Sequence, residues 1–371
     1  MKTNYFKLMT LFLVITVLIG ACKKNDDTEL DDNNDNNNKT ADVIKNYSGS
    51  GSEGDLITFS VNQTNKTYSV HNETTGNDDN GTYTVKTGDL NNIYEVTANG
   101  ETFFAVELSD KVLAANFPTG NPENDISFGV SSSLSYLNNS TDIIGDYTWI
   151  IMSNEEIDGS TTNKEWGVMT VNSDGTWIKK NYKGGSGGSV DYLAPNDFSE
   201  TLPLTSGDET GTWEVNGTHE ERLNVTINGE TETLTGYVYG DANSSAFLLD
   251  LGTGNGFLLG FKNTNTTFSD IVNNYSFVDV WNTGYKGAGN YNISATGNVT
   301  YNHITTTGEE DSGSFILSQC NTLKNVYYCE NANVGGYVIT VYCVISGDLI
   351  MHFMFNNSNG GFIAYGAGGK I

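Results

Sequence analysis

The chain has 371 residues, with 45 Asp and Glu against 18 Lys and Arg, a formal net charge of −27. Arg222 is the sole arginine, which excludes nucleic-acid binding, because that depends on clustered cations displacing counterions. With 20 Tyr, 17 Phe, 42 Gly and only 4 Pro, the composition excludes a wholly disordered chain and favours short strands joined by tight turns.

Lys2 and Lys7 precede an almost unbroken apolar run from Leu8 to Ile19, followed by Gly20-Ala21-Cys22. The run is shorter than the ~20 apolar residues that span a bilayer, and its basic start and small-residue end are those of a secretion signal. Residues 22–40 are rich in Asn and Asp and hold too little apolar surface to offset ordering entropy, so they read as a solvated tether. Residues 1–21 therefore form a signal peptide, and its loss moves the side-chain charge to −29.

The remainder repeats. Ala41-Asp42-Val43-Ile44-Lys45-Asn46-Tyr47-Ser48 returns as Thr141-Asp142-Ile143-Ile144-Gly145-Asp146-Tyr147-Thr148 and again as Ser269-Asp270-Ile271-Val272-Asn273-Asn274-Tyr275-Ser276. The spacing is domain-sized, longer than a propeller blade of ~40–50 residues, and gives domains at 41–140, 141–263 and 264–371. Period-2 patterning predicts strands at 47–51, 54–61, 66–73, 81–87, 92–98, 101–108, 111–117 and 126–131 in the first. The second gives 147–154, 165–172, 175–182, 211–216, 221–227, 231–239, 244–251 and 255–262. The third gives 275–281, 290–295, 298–305, 312–319, 325–330, 336–345, 348–356 and 360–366. Expected turns are Asn62-Gln63-Thr64-Asn65, Asp78-Asp79-Asn80-Gly81, Asn99-Gly100, Ser173-Asp174-Gly175 and Asn228-Gly229. The fold class is all-β, three tandem antiparallel meanders of about eight strands each, closed as barrels or stacked as sandwiches.

Three resemblances follow from these residues. Gly20-Ala21-Cys22 resembles the bacterial lipobox, which implies cleavage before Cys22 and acylation of its sulfur. Lys23-Lys24-Asn25-Asp26-Asp27 then resembles the export signal of Bacteroidota surface lipoproteins, implying an outward-facing anchor in the outer membrane. Each meander is similar to a lipocalin-like (calycin) barrel. The Gly-x-Trp letters of that family occur as Gly175-Thr176-Trp177 and Gly211-Thr212-Trp213, within the second unit and not at its opening.

Residues able to carry chemistry are few. His71, His219, His303 and His352 are dispersed and lack zinc-site spacing. Gly184-Gly185-Ser186-Gly187-Gly188 has neither a nucleophile elbow's setting nor a phosphate loop's Lys, and no catalytic residue, metal or cofactor is expected. The acidic stretches Asn77–Gly81 and Glu309–Gly313 read as turns. Trp149, Trp166, Trp177 and Trp213 crowd the second unit beside a long insertion from Lys183 to Asp208, as core filling or as a ligand platform. Val338–Ile345 and Leu349–Phe355 are apolar on both faces, so the third unit packs outward against a neighbouring domain or a partner. Cys320 and Cys329 are the first candidates for a disulfide, with Cys329 and Cys343 next. Together these features point to a membrane-anchored binding or scaffold protein that engages an outer-membrane protein complex or a glycan. The alternatives are an enzyme acting on polysaccharide and a carrier of an apolar ligand in the second barrel.

Overall fold

In a computed structural model the described residues are 41–52, 54–90, 92–98, 100–108, 112–116, 127–131, 140–152, 165–183, 209–215, 222–227, 230–239, 246–252, 256–264, 266–281, 285–320, 323–357 and 362–371. The signal peptide, the tether, residues 184–208 and Asn228-Gly229 lie outside them.

The first sheet closes as a barrel through β1 (Ile44–Gly51), β2 (Leu56–Asn62), β3 (Thr67–Asn72), β4 (Asn77–Val85), β5 (Ile93–Ala98), β6 (Glu101–Leu108), β7 (Val112–Ala115) and β8 (Ser127–Ser131). A second closed barrel comprises β9 (Gly145–Met152), β10 (Glu165–Val171), β11 (Thr176–Lys183), β12 (Glu209–Val215), β13 (Arg222–Ile227), β14 (Glu230–Tyr239), β15 (Ala246–Asp250) and β16 (Phe257–Lys262). The third sheet has nine strands: β17 (Asn273–Trp281), β18 (Lys286–Ile293), β19 (Asn298–Thr305), β20 (Glu310–Ile316), β21 (Ser318–Gln319), β22 (Val326–Val334), β23 (Tyr337–Ser346), β24 (Leu349–Asn356) and β25 (Phe362–Lys370). Its order, β20-β19-β18-β17-β25-β24-β23-β22-β21, curls until β20 and β22 approach each other. Asp311 Oδ2 spans that seam, accepting the Gly335 amide at 2.9 Å and the Tyr301 hydroxyl at 2.8 Å. All pairings are antiparallel, and no described residue is α-helical.

The repeated opening phrase has a physical role. A 3-10 turn precedes the second and third barrels, at Ser140–Ile143 and Phe268–Asp270. The tyrosine of the phrase then folds back into the barrel: Tyr147 donates to the Ile143 carbonyl at 2.6 Å and Tyr275 to the Ile271 carbonyl at 3.2 Å. In the first barrel Tyr47 instead donates to buried Glu107, which also accepts from Tyr94, Gln63 and Lys45. A second repeated device was not visible as a motif. The third strand of each barrel sets an aromatic opposite a glycine on the fourth: Tyr68 and Gly81, Trp177 and Gly211, Tyr301 and Gly313. A Cβ on Gly81 or Gly313 would lie 2.9 Å from its tyrosine ring, so the ring covers bare backbone.

One expected turn falls elsewhere. Asp78-Asp79-Asn80-Gly81 is inside β4, and the β3–β4 turn comes earlier. Asn72 Oδ1 caps the amides of Thr74 and Thr75, and Gly76 takes a φ of +74°. A capped Asx turn thus captures the chain before the acidic run arrives.

Each barrel has its own filling, but the largest core lies between barrels. Phe104, Val106 and Leu108 from the first, Leu248, Phe257 and Phe261 from the second, and Val344, Met351, Phe353 and Phe355 from the third pack into one cluster. The continuous apolarity of β23 and β24 is thereby explained: even-numbered Ile350 and Met354 face the barrel interior, whereas odd-numbered Met351 and Phe353 face the other barrels. Buried polar side chains cross the same joints. Ser50 donates to Asp250 at 2.7 Å, Thr148 meets Asn263 and Asn325, and Asn116 reaches the carbonyls of Gly287 at 2.8 Å and Asp279 at 3.3 Å. Asp42–Ile371 accordingly forms one compact unit.

Candidate functional site

The third barrel is filled at one end and hollow at the other. Its closed end is packed by Tyr275, Tyr327, Phe268, Ile271 and Leu317. At the opposite end, where the β17–β18, β19–β20, β22–β23 and β24–β25 connections gather, lies a cavity of about 640 Å³. This is within the range of small-molecule pockets. The first barrel shows the contrast: between Phe59, Tyr68, Tyr83 and Tyr94 it keeps only about 30 Å³, little more than one water.

Strand alternation assigns the walls. β17 turns Phe277, Asp279 and Trp281 inward, while Val278 and Val280 join the core between barrels. β19 contributes Tyr301, His303 and Thr305, and β18 contributes Tyr291. The depths are apolar, with Phe277, Phe315, Val334, Met354 and Ile363, whereas the mouth carries Tyr285, Tyr337, Glu309, Glu310 and Asp311. Tyr285 and Tyr337 are about half exposed, at 49% and 55%.

Two histidines that are 49 residues apart in sequence (303 and 352) converge on one buried carboxylate. His303 Nε2 lies 3.0 Å from Asp279 Oδ1, and His352 Nε2 lies 3.9 Å from Oδ2. Burial disfavours charge on His303, yet the charge and hydrogen bond of Asp279 outweigh it and leave the imidazole pKa above 6.5. His352 is fully buried, neither ring nitrogen has a hydrogen-bond partner, and desolvation draws its pKa down to about 4. Its ring stands edge-on to Phe277 at 4.6 Å between centroids, beneath the cavity. Glycines make the space for this trio. A Cβ on Gly287 would lie 2.2 Å from His303 Nε2 and 2.5 Å from Asp279 Oδ1, and one on Gly366 would lie 2.5 Å from the His352 ring. The buried Tyr291 hydroxyl and the Trp281 indole N–H also lack partners, and burial holds the Tyr291 pKa well above its ordinary value. Buried polar groups are seldom left unpaired, and here they lie in and beneath the wall of a cavity, which makes it the candidate site; Trp149 and Trp177 of the second barrel also keep unpartnered N–H groups, but no such cavity adjoins them among the described residues.

The sequence singled out other residues. Trp149 and Trp177 are buried in the second barrel's core with Tyr147, Met169, Phe247 and Leu258, and Trp213 packs at its edge, donating to the Asn172 carbonyl at 3.3 Å. Lys179 Nζ stands 4.6 Å above the Trp149 ring. Trp166 sits on β10, and its side chain is outside the described residues, as is the insertion after Lys183. The acidic stretches Asn77–Gly81 and Glu309–Gly313 are largely strand, and Asp78 meets His71 Nδ1 at 2.7 Å. Among the described residues no cluster of three or more metal-ligating side chains occurs. The expected Cys320–Cys329 disulfide is not formed: none of the third barrel's three cysteines is in a disulfide. Cys320 belongs to the core between barrels and Cys329 to the interior side of β22, on opposite faces of the sheet. The alternative pairing of Cys329 with Cys343 is likewise not formed.

Reading His303 and His352 as isolated missed their meeting on Asp279, which arises only from the register of β17, β19, β24 and β25. A signal did exist, in the inward glycines of Gly287-Ala288-Gly289 and Gly366-Ala367-Gly368, which alternate with core residues at strand period.

No family model matches the chain, and no curated protein matches it in sequence. Among solved structures it is similar to a protein of unknown function from the DUF3598 family of Nostoc punctiforme, at 9% identity and a TM-score of 0.21, covering 62% of this chain and 97% of that one. It is also similar to the intact transferrin-binding protein B termed Ap-TbpB, at 11% identity and a TM-score of 0.24, covering 89% of this chain and 77% of that one. The transferrin-binding protein B of Haemophilus parasuis gives 9% identity and a TM-score of 0.26 over the same shares. At TM-scores of this size the likenesses carry no weight for function.

Proposed function

We propose that the chain is a non-catalytic binding protein, held at the outer membrane by an acylated Cys22 and facing outward, that takes a small ligand into the open end of its third barrel. The observation that carries the reading is the cavity of about 640 Å³ there, with buried polar groups in and beneath its wall and no partner within the protein. The Gly20-Ala21-Cys22 signal and the polar tether support the anchor. A protein partner docked on the apolar face of β23 and β24 is not part of this reading, because the other two barrels cover that face.

The test has two arms. Cys22→Ser should move the protein from the membrane to the soluble fraction and abolish incorporation of labelled palmitate, and protease should reach the wild type on intact cells. In the second arm, native mass spectrometry of protein incubated with a cell-free extract should show an adduct below 1 kDa that Thr305→Trp, which blocks the cavity, removes. Palmitate labelling that survives Cys22→Ser would sink the anchor, and an adduct unaffected by Thr305→Trp would sink the site.

A further inference from the structure

We infer that the third barrel's cavity selects a small organic cation, an amine or quaternary ammonium carried on an apolar body, with the charge held at the mouth. The inference rests on the proposed binding role and specifies the ligand's chemistry. Among the described residues four carboxylates line the cavity, Asp279, Glu309, Glu310 and Asp311, and neither Lys nor Arg does. The one basic lining group, His303, is engaged by Asp279 at 3.0 Å. A concave site walled by low-dielectric material focuses such a field, so it repels anions and concentrates cations.

The rings supply a second attraction. Tyr285 and Tyr337 are exposed beside Glu309 and Glu310 at the mouth, with Trp281 just within. The negative face of each ring's quadrupole attracts a cation. Below them the apolar depths accept the ligand's hydrocarbon part. A sugar would stack on the rings, but Tyr291 and Trp281 could satisfy few of its many hydroxyls, and the rest would be buried unpaired against Phe277, Met354 and Ile363. An uncharged lipid would leave the carboxylates unused. An independent feature points to a ligand: Tyr291, 2% exposed, lines the cavity, and its hydroxyl has no partner in the protein.

The experiment uses the full chain with Cys22→Ser, so that no acyl chain competes, and calorimetry with three isosteric probes: phenylbutylammonium, phenylbutanol and phenylbutyrate. The ammonium should bind about tenfold more tightly than the alcohol, with the carboxylate weakest. The gap should shrink as salt screens the mouth. Glu309→Gln with Glu310→Gln, both at exposed positions, should narrow the gap between ammonium and alcohol, and an unchanged gap would overturn the role given to the carboxylates of the mouth. Equal binding of ammonium and alcohol, or tightest binding of the carboxylate, overturns the cation preference while the cavity reading stands. If none of the three binds and Thr305→Trp changes nothing in the extract experiment, both readings fail.

Discussion

Replacing Asn116 by Ala tests whether the barrels stand or fall together. Asn116 is fully buried at the end of β7, and its side chain serves both barrels at once. Its Oδ1 accepts the Phe104 amide at 2.7 Å, and its Nδ2 donates to the Gly287 carbonyl at 2.8 Å and the Asp279 carbonyl at 3.3 Å. Truncation strands the Phe104 N–H where water does not reach, an orphan that costs about 1–3 kcal/mol, and removes an extra donor from the Gly287 carbonyl, which keeps its place opposite Asp279 in the β17–β18 ladder. The expected loss is therefore about 1–3 kcal/mol, to be read from urea midpoints by circular dichroism and by tryptophan fluorescence. The first barrel contains no tryptophan, so fluorescence reports only on the second and third. If the shared core makes Asp42–Ile371 one cooperative unit, both probes shift together. A loss under about 0.5 kcal/mol would refute the hydrogen-bond argument. A fluorescence midpoint that stays put while circular dichroism shifts would refute the coupling.

Four further outcomes follow from the third barrel. Unfolded His352 takes up a proton near pH 6.5 that the folded chain resists until about 4. Stability should therefore fall as pH drops through that window, by up to about 3 kcal/mol, and His352→Leu should flatten this limb in urea midpoints measured from pH 7.5 to 4.5. His303 has the opposite sign: its folded pKa is raised, so its contribution is full below 6.5 and is lost as pH rises through the folded value. His303→Gln should remove that alkaline loss and also soften the acid limb, because the charge on His303 helps to hold the His352 pKa down. Gly287→Ala drives a methyl into His303 and Asp279 and should cost about 1–3 kcal/mol; an unchanged melting temperature would mean that the pair has room to retreat. Burial raises the thiol pKa of both Cys329 and Cys343, but only Cys329 is partly exposed. A thiol reagent should thus modify Cys329 in the folded Cys22→Ser chain and reach Cys320 and Cys343 only on unfolding.

What the sequence disclosed and what it withheld divide along the range of the interactions involved. Strand period and turn residues act locally, so the strands were legible to within a few residues, and Glu101–Leu108 and Asn298–Thr305 to the residue. The exception, Asp78 to Gly81, lost to a turn signal six residues upstream that was equally local but held in place by the Asn72 cap. The double apolarity of Leu349–Phe355 showed that its second face was covered, because hydrophobic burial is readable from pattern alone. By what it was covered depends on how barrels meet, which no periodicity encodes.

The site was illegible for the same reason. Asp279, His303 and His352 come from strands whose sequence separations say nothing about register, and their meeting is a property of the closed sheet. Four tryptophans drew attention to the second barrel because aromatic crowding is conspicuous in a sequence, yet crowding is also what fills a core. Trp149 and Trp177 show the second outcome, sealed among Tyr147, Phe247 and Leu258. The lone Trp281 shows the other, at the mouth of a barrel whose inward positions alternate among glycine, aromatic and charged residues. A barrel interior composed only of large apolar side chains fills itself. One in which Gly287 and Gly366 make space for Asp279, His303 and His352 forgoes packing to keep polar groups inside, at a cost in stability. That expenditure, together with the cavity, supports the proposal that a ligand enters the third barrel and not the tryptophan-rich second.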